Sequence, residues 1–326
     1  MPDATIRDVA RRAQVSVASV SRALNNLDNV SERTRERVAD AVRELGYVPH
    51  AGARSLSLAR TNAVGVVLPD LHGEFFSEIV RGMDREASER GYFLLLSNMH
   101  AGNAQSASAL RALRGRVDGL IVMAPHLSAE ELADALPSGT PSILVNTRSD
   151  DHPGIRLDNA AGARAVADHL IAIGRTRIVH IAGPVGNVDA QERSAAFRDA
   201  LQSKCVGLEI VQGDFTEGSG EAAIETLLAG GAKFDAVFAA NDMMASGALH
   251  ALHSHGLSVP EDVAVAGFDD IPLARYLGLT TVSVRIAELG ERAFDCLIDM
   301  LEDAEKTCGQ ELHSPQLVIR STTSSK

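Results

Sequence analysis

From Thr61 to the end, one pattern constrains the chain more than any other. Short apolar runs alternate with amphipathic helical stretches, at start-to-start spacings near 25–30 residues. The first series of runs reads AVGVVLPD (63–70), YFLLLSN (92–98), VDGLIVMAP (117–125) and PSILVNTR (141–148). The second reads RIVHIAGP (177–184), LEIVQGD (208–214), FDAVFAAND (234–242) and DVAVAGFDD (262–270). Helices are predicted near 75–90, 103–114, 128–136, 159–173, 191–203, 218–229, 243–256 and 273–277, with a last one at 286–303. Near-continuous apolar strands alternating with helices predict parallel βαβ sheets buried on both faces. Two series predict an α/β body of two lobes.

Polar residues collect where these strands end. Asp70, Asn98, Asn146 and Arg148 do so in the first series, and Asp214, Asn241, Asp242, Asp269 and Asp270 in the second. In open parallel sheets that edge forms the ligand crevice. Phe75, Phe76, Phe215 and Phe268 stand nearby in the sequence. Carboxylates and amides beside aromatic faces suit a polyhydroxylated small molecule, because acids accept from hydroxyls and rings stack on apolar faces. Asp and Asn also end strands simply by making turns. For Asp70 and Asp214 taken alone, that plainer role is the better account.

Residues 1–60 follow a different pattern. The chain carries a net charge of −12, yet this segment holds ten arginines against seven acids, about +3, leaving about −15 on the rest. A basic head on an acidic body is what a nucleic-acid module joined to a regulatory domain shows. Thr5 and Asp8 form a capping-box variant before a helix with an apolar stripe at Ile6, Val9, Ala10 and Ala13. Ser16 caps a second helix over 17–25, and Ser31 a third that stops at Gly46. Ile6, Val9, Val20, Leu24, Val38 and Val42 are the expected core. Helix, short turn, helix is the helix-turn-helix pattern. With Val20 and Leu24 inward, Val17, Ala18, Ser21 and Arg22 face outward. Small apolar Val17 and Ala18 suit a thymine methyl, and Arg22 can fork onto guanine O6 and N7.

The head segments TIRDVARRA-x-VSVASVSRALNN, VSERTRERV and ELGYVPHAGARSL resemble the lactose/galactose-repressor (LacI/GalR) family of bacterial transcription regulators. The resemblance places Val17, Ala18 and Arg22 on base-reading positions. It places Thr5, Ser16, Ser21, Asn25, Ser31, Thr34 and Tyr47 on phosphate contacts, and the Val-Ala pair resembles the galactose-repressor subgroup. Gln14 departs from the pattern at a turn position often held by Gly, and His50 where Asn is usual. The body segments IRLDNAAGARAVADHLIAIGRTRIVHIAGP, QERSAAFRDAL, GDFTEGSG, FAANDMMASGAL, VAGFDDIP and LTTVSVRIAELGERA are similar to the same family's sensor domain, which shares the periplasmic sugar-binding-protein fold. That similarity implies effector contacts at Asn146, Asp189, Arg193, Phe215, Asn241 and Asp269, with Arg193 just inside a helix N-terminus. Asn146 stands where an acid is frequent and Asp189 where a small hydroxyl residue occurs.

Pro49 stops the third helix, and His50 through Leu58 read as a segment too short, with Gly52 inside it, for a helix stable by itself. The resemblance implies a hinge helix in the minor groove, with Leu56 wedged into a base step, Ala53 lining the groove and Arg54 near phosphates. The expected domains are a DNA-binding head at 1–49, the hinge at 50–60 and the sensor at 61–326. Within the sensor, lobe 1 takes about 61–157 and 284–318, and lobe 2 about 159–281 with the C-terminal tail. The chain is expected to cross between lobes near Leu157–Asn159, Thr280–Val284 and Leu317–Ser321. The polar ending STTSSK lacks leucine heptads, so a homodimer on a near-palindromic double-stranded operator is expected rather than a tetramer.

Other function classes fit less well. An extracytoplasmic sugar-binding protein needs a leader, and MPDATIRDVARRA has neither a basic stretch nor an apolar one after it. An enzyme acting through Asp242, Asp269 or Asp270 lacks support from a nucleophile elbow, a P-loop or HExxH, and GSGEAA (218–223) is only a fragment of a dinucleotide fingerprint. No metal site and no cofactor are expected. Cys205, Cys296 and Cys308 are odd in number and widely spaced, and read as reduced thiols of a cytoplasmic protein with no membrane span. Control by a nucleoside or by a protein partner remains the alternative to a sugar or sugar derivative.

Overall fold

The computed structural model describes residues 4–25, 29–48, 60–99, 103–303, 306 and 308–324, without the side chains of 103–107. The hinge residues His50, Gly52, Ala53, Arg54 and Leu56 lie outside the described residues.

The head is three helices. In α1 (Ile6–Ala13) the capping box is complete: Thr5 N and Oγ1 donate to the Asp8 carboxylate at 3.0 and 2.6 Å, and Asp8 N donates to Thr5 Oγ1 at 3.4 Å. These bonds from Thr5 hold Asp8 below the usual carboxylate range. Gln14 ends the helix in the left-handed region at φ 52°, the conformation expected to burden a non-glycine residue. Its carbonyl and side-chain oxygens accept from Arg37 Nη2 at 3.4 and 3.5 Å. Ser16 caps α2 (Val17–Leu24) by accepting from Ser19 N at 3.1 Å. The third helix, α3 (Glu32–Leu45), stops at left-handed Gly46.

The head core is Val9, Ala10, Ala13, Val20, Val38, Ala41 and Tyr47, with Ile6, Leu24 and Val42 only partly buried against it. Tyr47, which the resemblance places on a phosphate contact, is part of this core. Tyr47 N donates to Val42 O at 3.1 Å, which folds the chain back over α3 and leaves the residue buried.

The body holds two parallel sheets. Beginning with β1 (Ala63–Leu68), the first alternates α4 (Glu74–Glu89), β2 (Phe93–Asn98), α5 (Asn103–Leu113), β3 (Gly119–Val122), α6 (Ala129–Ala135), β4 (Ser142–Val145) and β5 (Gly154–Leu157). The second follows with α7 (Asn159–Ala172), β6 (Arg177–Ala182), α8 (Val188–Gln202), β7 (Gly207–Gln212), α9 (Glu217–Ala229), β8 (Ala236–Ala239), α10 (Asp242–Ser254), β9 (Ala264–Ala266) and α11 (Pro272–Tyr276). The chain then returns through β10 (Thr281–Ser283), α12 (Ile286–Glu302), β11 (Gln310–His313) and β12 (Gln316–Val318).

Strand order is β11-β5-β4-β3-β1-β2 in one sheet and β7-β6-β8-β9 in the other. The central strands β1, β3, β4 and β8 are buried throughout, as their unbroken apolar sequences require. The expectation of full burial fails at β2. It lies at a sheet edge, and Phe93 is 72% exposed with Leu95 and Leu96 also outside.

Four strands escaped the sequence reading. β5 and β11 carry too few apolar residues to resemble covered strands, and β10 and β12 are three residues each, paired antiparallel with Val282 opposite Leu317. Within GSGEAA, Gly220 has a packing role. A Cβ on Gly220 would meet Met244 O at 2.0 Å, and one on Gly247 would meet Glu217 O at 1.9 Å, so these glycines let α9 and α10 touch backbone to backbone. Cys296 and Cys308, expected as separate thiols, are joined in a disulfide from α12 to the segment just before β11, with Cα atoms 5.7 Å apart, while Cys205 is free. Among the described residues no helix is long and apolar enough to cross a membrane.

Candidate functional site

On the head, α2 presents Val17, Ala18 and Arg22 to solvent while Val20 is fully buried beneath them. Thr5 and Ser31 are exposed at two other helix starts, where Ser31 Oγ lies 2.9 Å from Thr34 Oγ1. Ser21 and Asn25 are half-buried at the far end of α2. Helix N-termini, with unpaired N–H groups and the positive end of the dipole, are suited to phosphate oxygens. The arrangement offers an arginine and two compact apolar side chains flanked by helix starts that carry hydroxyls.

In the body, a cavity of about 460 Å³ lies between the two sheets, at the C-terminal ends of their strands. Of the residues predicted for the effector, Asp70, Phe75, Phe76, Asn146, Asp189, Arg193, Phe215, Asn241 and Asp269 line it. Asp70 also makes a turn, its Oδ1 accepting from Leu71 N at 2.7 Å and His72 N at 3.1 Å.

Two predictions do not hold. Asn98 ends the edge strand β2 and is not in the wall. Arg148 points its Nη2 to Glu192 Oε1 at 2.9 Å and borders a separate cavity of about 330 Å³. Phe268, expected near a wall, is fully buried behind it.

Lobe 2 supplies a bonded polar cluster. Asn187 caps α8 by accepting from Ala190 N at 3.0 Å, so the helix begins three residues earlier than predicted. Arg193 consequently sits in its second turn rather than just inside its start. From there Nε donates to Asn159 Oδ1 at 2.8 Å, and Nη1 donates to Ala240 O at 2.7 Å and to Asp269 Oδ1 at 3.4 Å. The guanidinium also covers the Phe268 ring, 3.8 Å from its centroid. Asn159 Nδ2 donates in turn to Asp189 Oδ1 at 2.8 Å.

Burial raises Asp189 and pushes Asp269 up to about 7, opposed in both by the Arg193 charge. Asp242 is driven well above the usual range by burial and by the neighbouring Asp269. It lies behind the wall, accepting from Thr281 Oγ1 at 2.5 Å and Ile271 N at 3.0 Å. Asn241 caps α10 through Met244 N at 2.9 Å and donates to Phe215 O at 3.0 Å.

Asn146, Phe215 and Asp269 all have positive φ, at 47°, 73° and 111°. Such backbone is uncommon for non-glycine residues and gathers at ligand sites. Sequence reasoning missed Met123, His126, Asn187 and Met243 in the wall and Asn159 behind it. The rule selects polar residues at strand ends, so it passes over apolar Met123 just after β3, and the others stand on loops and helix starts.

The lobes touch around this cavity. Val188 N donates to Pro125 O at 3.0 Å, Leu273 N to Glu74 Oε2 at 2.9 Å, and His72 Nε2 lies 3.6 Å from Glu217 Oε2.

Comparison with known proteins agrees with both halves. Residues 5–50 match the model of bacterial regulatory proteins of the lacI family, and residues 167–323 that of a periplasmic binding protein-like domain. A ribose operon repressor of Halalkalibacterium halodurans is 34% identical over 98% of this chain and 97% of its own. The HTH-type transcriptional repressor CytR of Escherichia coli is 33% identical over 98% and 96%. The crystal structure of the Lac repressor dimer bound to operator and the anti-inducer ONPF covers 99% of each chain, with a TM-score of 0.89 and 31% identity. This chain belongs to the LacI family of bacterial regulatory proteins.

Proposed function

We propose that the chain is a repressor that binds a near-palindromic operator as a homodimer and changes its operator affinity when a sugar or sugar derivative occupies the cleft. The observation that carries this reading is the pairing, in one chain, of an exposed Val17–Ala18–Arg22 face with a bonded cluster of Asp189, Asn159, Arg193 and Asp269 under a cavity. The first supplies base contacts and the second hydrogen-bonding partners for hydroxyls. The first relative is named for a ribose operon, and the Lac repressor structure is a dimer on operator with ONPF. The exposed apolar row of β2 supports association of two copies, since edge strands with large apolar side chains are seldom left bare. The same reading makes the chain a binding protein rather than an enzyme, and its place the cytoplasm with the DNA.

The test has two arms. Selection of duplexes by the purified protein, followed by binding at fixed modest salt, is expected to return a palindrome held far more tightly than random DNA. Equal grip on random duplexes refutes sequence-specific binding. A panel of sugars and nucleosides is then screened for thermal stabilisation, and silence across it refutes the small-molecule reading in favour of a protein partner.

A further inference from the structure

Cys296 and Cys308 are bonded in a chain whose proposed place is the cytoplasm, where small thiols keep cysteines reduced and disulfides are transient and redox-active. We propose that this pair is a reversible redox site, exchanging with low-molecular-weight thiols and disulfides, and that its state alters operator affinity. The second half rests on the reading of the chain as an operator-binding regulator.

Both states of the pair are provided for. The Cα separation of 5.7 Å lies well inside the range that a disulfide spans. For the open state Glu311 supplies an acceptor. Its Oε1 lies 3.8 Å from Cys296 Sγ and 3.6 Å from Cys308 Sγ, so each thiol proton has a carboxylate oxygen to donate to. Arg292 holds that carboxylate in place, Nε donating to Oε2 at 2.9 Å and Nη2 to Oε1. A bond with a purely structural task has no use for such an acceptor. The donor atoms of Cys296, Cys308 and Glu311 also lie within 4.8 Å of one another, a grouping that could hold a metal. Three donors fall short of a closed zinc site, and Arg292 already occupies the carboxylate, so thiol exchange suits the group better.

Burial sets the order of attack. Cys296 is buried in α12, whereas Cys308 is half-buried beside exposed Gly309. An incoming small thiolate attacks Cys308 Sγ, and the S–S bond breaks toward Cys296, whose thiolate takes up a proton. A second small thiol attacks the mixed disulfide at its outer sulfur, which frees Cys308 as a thiol and releases the small-molecule disulfide. Two electrons and two protons pass to the protein, and oxidation runs the same steps backwards.

The bond reaches the cleft through lobe 1. Cys308 stands just before β11, an edge strand paired with β5, where Gln310 lies opposite Gly154 and His313 opposite Leu157. Asp158 N then donates to His313 O at 3.0 Å, immediately before Asn159 of the cleft cluster. On the other side, α12 lies backbone to backbone on α4, since a Cβ on Gly290 would meet Ile79 O at 2.2 Å. That same α4 carries Phe75 and Phe76 into the cavity wall. The disulfide therefore ties the strand that leads into the first crossing to the helix that backs the phenyl pair. Opening it lets the two shift against each other.

The full-length protein is equilibrated in glutathione buffers with reduced-to-oxidised ratios from about 1 to about 1000, then quenched in acid, unfolded and alkylated. Peptide mass mapping is expected to show Cys296 and Cys308 bonded to each other at the oxidising end and alkylated together at the reducing end. A bond present at every ratio overturns the proposal, because it is then permanent, and a bond absent at every ratio overturns it equally. Affinity for the selected palindrome, measured by fluorescence anisotropy at both ends of the series, is expected to differ by at least about fivefold. Equal affinities overturn the regulatory half. Cys308→Ser is expected to hold the operator equally at both ends, and a response that survives in this variant overturns the assignment to the pair. If the reduced protein grips random duplexes as tightly as the palindrome, the operator reading falls instead, while the mapping still decides the exchange site.

Discussion

Replacing Arg193 with Met, which keeps much of the volume and removes the charge, tests the polar cluster directly. The variant loses bonds to Asn159, Ala240 and Asp269 and the stack on Phe268, and leaves Asp269 without its cation. Removing one member of a buried pair costs about 3–5 kcal/mol, and the lower end applies because the cleft admits water and Asp269 can take up a proton. About 3 kcal/mol corresponds to a fall of roughly 6–12 °C in the midpoint of the body's thermal unfolding.

The pH dependence carries the sharper prediction. Asp269 is raised from 3.8 to about 7 in the folded protein, so it opposes stability progressively as pH rises through that window, and the penalty is constant above it. Without Arg193 the carboxyl moves higher still and the penalty keeps growing above pH 7. Going from pH 6, where the native carboxyl is mostly protonated, to pH 8, where it is mostly ionised, widens the deficit of the variant by about 1.4 kcal/mol. Differential scanning calorimetry of both proteins at the two pH values measures it. A deficit equal at pH 6 and pH 8, or smaller at pH 8, refutes the assignment of Asp269 as the partner whose charge Arg193 holds.

Four further outcomes are expected. Ligand hydroxyls that donate to Asp269 bond its ionised form more strongly than its protonated one, so effector affinity should drop by up to about tenfold from pH 8 to pH 6 in calorimetric titrations, and a flat profile removes that contact. Arg22→Ala should relax discrimination at one base pair by roughly 1–3 kcal/mol in competition binding, with the thermal midpoint unchanged. Leu56→Ala should weaken operator binding while leaving effector binding intact, and an unaltered operator affinity disproves the wedge. Gly220→Ala, whose Cβ has no room against Met244 O, should destabilise by about 1–3 kcal/mol in urea unfolding, whereas Gly218→Ala, with nothing within 4 Å, serves as the tolerated control.

What the sequence made legible follows from what each residue has to satisfy locally. Thr5, Ser16 and Gly46 announce helix ends because unpaired backbone groups there need a hydroxyl or a left-handed turn, and all three act as expected. The strands whose apolar runs are unbroken on both faces were equally plain. β11, with the sequence QELH, was not, because an edge strand exposes alternate residues and is stabilised by the neighbour it joins. In the cleft, Asn146, Asn241 and Asp269 were visible as polar endings of apolar strands. Asn159 and Met243 were hidden, since their importance lies in contacts with residues far away in sequence. Arg148 was misplaced for the same reason: position at a strand end predicts nearness to the crevice, but Glu192, which the chain reaches 44 residues later, decides where the guanidinium goes.

The geometry around Asp269 explains how a small ligand in the proposed site acts at a distance. All three segments that run between the sheets are bonded to the cleft cluster or to its immediate neighbours. Asn159, just after the first crossing, joins Arg193 to Asp189. The second crossing, β10, receives Asp269 N at Val282 O, 2.9 Å, and places Thr281 on Asp242 beside Asn241. The third, beyond β12, brings Arg320, whose Nη2 donates to Asp270 Oδ1 at 2.7 Å and whose N donates to Thr280 Oγ1 at 2.8 Å. Asp269 and Asp270 both have positive φ, 111° and 57°, so this dipeptide is held in a disfavoured conformation by the strands it touches. A ligand that bonds Asp269 in one lobe orientation and not in the other acts on two crossings through a single turn. A preference of only ~1.4 kcal/mol between the orientations changes their ratio tenfold. One charged hydrogen bond made or lost at Asp269 is of that size, so the switch requires no large rearrangement of the wall, only a different fit of one carboxylate.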